Sequence, residues 1–111
     1  MSLYVPDRWW VVKITNDSST QHRVIGSWYG GYLGSDSWRL SSDIVSLSHD
    51  LQHSCYTFEN ASGSTYRCPD HRMGLSPFAM LALDNMIRRT KIYKIELLTE
   101  VELKAFLEGA S

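Results

Sequence analysis

No apolar run in this chain is long enough to cross a membrane; the run near the start, Trp9 to Val12, is far too short to span a bilayer. The opening MSLYVPDRWWVVKI has no positive segment leading into an apolar stretch, so it does not read as a signal peptide. There is no long polar or like-charge run, which argues against disorder. Net charge is only −1 over 111 residues. A dedicated nucleic-acid binder is not expected from that balance, because such affinity comes largely from Lys and Arg neutralising phosphates. A local basic patch stays open. There are only two cysteines, Cys55 and Cys68. With no export pattern the expected compartment is the cytoplasm, where both thiols stay reduced and the Asn60-Ala61-Ser62 sequon carries no glycan. Repeats and linkers are missing. So are the P-loop, GxSxG, HExxH and paired-carboxylate signatures of common enzymes.

What is present is one domain, with 43% hydrophobic residues and enough length to bury a core unaided. Tyr4 to Thr15 is rich in β-branched and aromatic residues and reads as a strand. Its face of Trp10, Val12 and Ile14 is the expected core side, opposite Trp9 and Val11. Asn16 to Thr20 is a turn, Arg23 to Tyr29 a second strand, and Ser37 to Leu47 a third. Gly26 inside the second strand signals a bulge or a close approach. A hairpin follows, turning at Asn60-Ala61-Ser62-Gly63 with Gly63 left-handed. The register read from that turn sets Cys55 directly opposite Cys68. Ser76-Pro77 opens a helix over Phe78 to Arg89, whose stripe of Phe78, Leu81, Ala82 and Met86 reads as a core face. Ile92 to Leu98 alternates as a strand. Thr99 and Glu102 form a capping box for a last helix ending near Gly109. The expected fold is α+β: an antiparallel sheet of about six strands, meander plus hairpin, with the two C-terminal helices on one face.

Four groups of residues point to chemistry. His49, His53, Cys55, Cys68 and His71 include thiolate and imidazole ligands of the kind that hold tetrahedral zinc, with His53, Cys55, Cys68 and His71 the candidate set. No short CxxC pair supports it, and two packing thiols or a disulfide are the other readings. Trp28, Tyr29, Gly30, Gly31 and Tyr32 mix aromatics with glycine, which resembles a contact surface, with Tyr29 and Tyr32 the candidates for exposure. Trp10 and Trp38 are assigned to the core. Arg88, Arg89, Lys91 and Lys94 form a basic cluster at a helix end, fit for phosphate or an acidic partner, or for the helix dipole alone. Finally, His49-Asp50 and Asp70-His71 are acid/histidine neighbours, and a small hydrolase or nuclease centred on His49–His71 is the second alternative reading.

The stretches WYGGYLGSDSWRLSSDI and GSTYRCP resemble small uncharacterised proteins of bacteriophages and other mobile elements. The resemblance brings no defined activity; it implies binding of a host macromolecule. Residues and resemblance together lead to a non-enzymatic protein that binds a protein partner, or itself as a homodimer, through the glycine–aromatic surface, whereas the basic cluster with the sheet aromatics belongs to the nucleic-acid reading. A nucleic-acid or nucleotide binder is the alternative. No cofactor is required, zinc being the one candidate.

Overall fold

The computed structural model describes residues 2–30, 36–91 and 93–109. The fold is α+β, with eight strands and two helices: β1 (Leu3–Tyr4), β2 (Arg8–Thr15), β3 (Thr20–Trp28), β4 (Ser37–Leu40), β5 (Ile44–Asp50), β6 (Cys55–Asn60), β7 (Thr65–Pro69), α1 (Pro77–Arg89), β8 (Lys94–Leu97) and α2 (Glu100–Gly109). The strands form two four-stranded sheets, ordered β1-β7-β6-β5 and β4-β3-β2-β8. All pairings are antiparallel except β1 with β7.

The single expected sheet is two because both long expected strands break. Pro6 breaks the first, since it has no N–H to give a ladder. Leu3–Tyr4 then joins β7, while Arg8–Thr15 runs beside β3. Ser41 breaks the third. Its N–H donates to the Val24 carbonyl at 2.8 Å and its Oγ accepts from the Val24 N–H at 2.8 Å. One residue thus completes the β3 ladder while the chain leaves for the other sheet. Ala61 N–H then donates to the Asp43 carbonyl, starting the pairing of β5 with β6.

The sheets share a core of Trp9, Val11 and Val24 from one and Phe58, Tyr66 and Cys68 from the other. Leu103 and Leu107 of α2 join this core. On the far side of β2 and β3, Val12 and Ile25 pack against Ala79 and Leu83 of α1. The two helices therefore lie on opposite faces of the β4-β3-β2-β8 sheet, not on one. Both faces of β2 are covered, and Trp9, expected on the minor side, is fully buried while Trp10 is partly exposed. The Trp9 indole N–H donates to the Pro69 carbonyl at 2.8 Å, and that of Trp10 to Leu98 at 2.7 Å. Gly26 is a close approach and not a bulge: the register runs through it unbroken, and an added Cβ would stand 3.0 Å from Pro6 Cβ.

Candidate functional site

α1 is capped at both ends by its own sequence. Ser76 Oγ accepts from Ala79 N–H at 3.1 Å, with Pro77 as the first helical residue. Thr90 N–H closes the other end on the Met86 carbonyl, and Thr90 Oγ1 accepts from Tyr93 N–H at 3.3 Å. The helix turns Ala79 and Leu83 onto the sheet. Its neighbouring face repeats at helical spacing through Phe78, Leu81, Ala82, Met86 and Arg89; Met86 packs against the core, while Phe78 and Leu81 stay exposed. It forms one wall of an open apolar groove of about 660 Å³, completed by Trp38 of β4 and by Tyr93 and Ile95. Leu81 is 63% exposed and Phe78 43%. The apolar surface of α1 is wider than one sheet contact covers. That excess was visible in the sequence, where the stripe reads as core; its exposure was not.

Arg89 lines the groove, and Arg88, Arg89 and Lys91 are all exposed. Among the described residues no carboxylate stands within ion-pair distance of these three, whereas Lys94 pairs with Glu96 at 3.6 Å. The basic cluster and the apolar groove thus meet at one end of α1.

The glycine–aromatic stretch is a different surface. Tyr29 is 47% exposed, its N–H held by Asp7 Oδ2 at 2.8 Å. Gly30, at φ 59°, is in the left-handed region. Trp28 is partly buried against the inter-sheet core, its indole N–H on the Val5 carbonyl at 3.0 Å. Trp38 packs on the opposite face, with the α1 core. Trp28 and the groove therefore lie on opposite sides of one sheet. Gly31 and Tyr32 fall outside the described residues.

The cysteine register differs from expectation by one residue. Gly63 at φ 90° and its N–H bond to the Asn60 carbonyl form the expected turn, but Asn60 pairs with Ser64 across a three-residue loop. Glu59 then meets Thr65, Tyr56 meets Cys68 and Cys55 meets Pro69. By strand alternation Cys55 and Cys68 fall on opposite faces of the hairpin. Both are free and buried, and burial pushes the Cys68 thiol far above its usual range, which disfavours a thiolate ligand. His53 pairs with Asp50 at 2.6 Å on the surface, and His71 is exposed. Among the described residues no three His, Cys, Asp or Glu side chains converge as metal ligands.

The acid/histidine neighbours are coupled crosswise. His49 Nε2 meets both oxygens of Asp70, at 2.8 and 3.1 Å, and its ring stacks on Tyr56 at 4.0 Å. Among the described residues no Ser, Thr or Cys hydroxyl or thiol is hydrogen-bonded to His49, so the pair has the orienting half of a nucleophilic triad without the nucleophile. Among the described residues no helix is long and apolar enough to cross a membrane. No family model, curated protein or solved structure matches the chain.

Proposed function

We propose that this chain is a non-enzymatic binding protein that takes an amphipathic, acidic segment of a protein partner into the α1 groove. The observation that carries this reading is the exposed pair Phe78 and Leu81, running with Ala82 into Arg89 along the apolar groove. A floor of aromatic and aliphatic side chains favours an apolar anchor. The cations at its end, which meet no carboxylate among the described residues, favour carboxylates beside that anchor and disfavour a basic partner. A host macromolecule is the partner class implied by the resemblance to small phage proteins.

Leu81→Asp tests the proposal. Leu81 is too exposed for the change to disturb folding, yet it places a charge on the groove wall. Partner affinity should drop by about 30-fold or more, the scale of a lost anchor residue. It should also weaken with added salt in the wild type. Unchanged affinity in the variant would move the binding site elsewhere, Tyr29 being the next surface to alter. Self-association through the groove, read by ultracentrifugation and abolished by Leu81→Asp, would replace the acidic partner with a second copy.

A further inference from the structure

A second cavity, of about 270 Å³, lies where the β4–β5 crossover, the β6–β7 turn and the N-terminal strand meet. Its walls include Arg39, Ser42, Ser62, Ser64, Tyr4 and Tyr66, and among the described residues no carboxylate. The Arg39 guanidinium lies over the Tyr4 ring, 4.7 Å from its centre, and no carboxylate among the described residues reaches it. Stacking fixes the plane of that cation; one N–H lies near the Tyr66 hydroxyl oxygen, and the others are left for a ligand.

The hydroxyls form a chain. Ser42 Oγ donates to Ser62 Oγ at 3.0 Å and accepts from the Ser62 N–H at 3.0 Å. Ser62 Oγ and Ser64 Oγ stand 3.1 Å apart, and Asn60 Nδ2 donates to Ser64 Oγ at 3.2 Å. Only one of Ser62 and Ser64 can donate across that pair, so the proton of the other is left over for a ligand.

Tyr66 supplies the independent observation. It is 1% exposed, its ring packs on Tyr4 at 5.0 Å, and its hydroxyl has no well-formed hydrogen bond among the described residues. Burial pushes that hydroxyl up to about 12, offset in part by the charge of Arg39, so it keeps its proton and is a donor. A buried donor without an acceptor is costly. Here the surplus donors line one cavity beside a fixed cation.

We propose that this cavity binds a phosphoryl group, as inorganic phosphate or as the head of a small phosphate monoester. A tetrahedral oxyanion offers acceptors to Arg39, to the Ser62–Ser64 pair and to Tyr66, and Arg–phosphate pairing adds charge to the hydrogen bonds. The site is separate from the α1 groove and does not depend on that reading.

The test is a titration of the full chain near neutral pH and at constant ionic strength, following the backbone amides of Ser62 to Ser64 by NMR. Inorganic phosphate and O-phosphoserine are the probes, with serine and chloride as controls. The expected result is saturable shifts with at least one phosphate probe and none with the controls. Tighter binding of phosphoserine assigns the ester; tighter binding of phosphate assigns the free ion. Arg39→Gln, at an exposed position, should weaken binding by about tenfold or more, and the isosteric Tyr66→Phe by roughly fivefold. No saturable shift with either probe, or equal affinity in Arg39→Gln, overturns the proposal.

Discussion

Gly26 has no room for a side chain. Its Cβ would sit 3.0 Å from the ring of Pro6, itself fully buried, and 3.4 Å from the Trp28 indole. Neither neighbour is a flexible chain end. Gly26→Ala should therefore cost about 1–3 kcal/mol by overpacking, read as a lower midpoint in urea unfolding. His22 makes a second single-residue statement. Its ring stacks on Phe106 at 4.5 Å, and burial, with Lys13 nearby, lowers its pKa from the ordinary 6.5 against the opposing pull of Asp43. The folded state thus disfavours the imidazolium, and the unfolded chain takes up the proton first. This contribution to stability is level above pH 6.5 and declines as the pH falls below it, until the folded form protonates too. Unfolding free energies measured down that range should decline less steeply in His22→Gln than in wild type.

The elements divide by the range of the contacts that make them. Caps and turns were legible because their hydrogen bonds are local. Asn16 Oδ1 accepts from Ser18 and Ser19 N–H, Ser76 caps α1, and Thr99 and Glu102 cap α2 reciprocally at 3.0 and 3.1 Å. The division into two sheets was not legible, because the residues that cause it act on distant partners. Asp7, just after Pro6, bonds the Ser27 carbonyl, and Ser41 bonds Val24. The cysteine register turned on one loop residue, enough to move Cys68 to the other face. Ser41→Ala probes the crossover. It would leave the buried Val24 N–H without its acceptor, so a loss of about 1–3 kcal/mol is expected. Hydrogen exchange should show the β3 amide at Val24 opening more readily than its neighbours in β2.

At the scale of the molecule, the β4-β3-β2-β8 sheet is the central layer. Its inner face is sealed by the second sheet and α2, and its outer face only in part by α1. The site candidates read from sequence follow that asymmetry. The basic cluster stands at the open side, beside apolar residues assigned to the core by pattern. Periodicity shows that a helix has an apolar stripe, but not whether the sheet beneath is wide enough to cover it. Tyr29 is exposed as expected, yet the sheet separates Trp28 beside it from the groove. Photo-crosslinking from the groove tests the central claim most directly. A photoreactive phenylalanine analogue replaces Leu81 in one protein and Leu51, which is 82% exposed and does not line the groove, in another. Both are irradiated in lysate of the source cells. The account predicts one dominant adduct from position 81, to a protein segment that pairs apolar with acidic side chains, lost when Arg89→Glu is added and absent from position 51. The same adducts from both positions, or an adduct at 81 indifferent to Arg89→Glu, would contradict it.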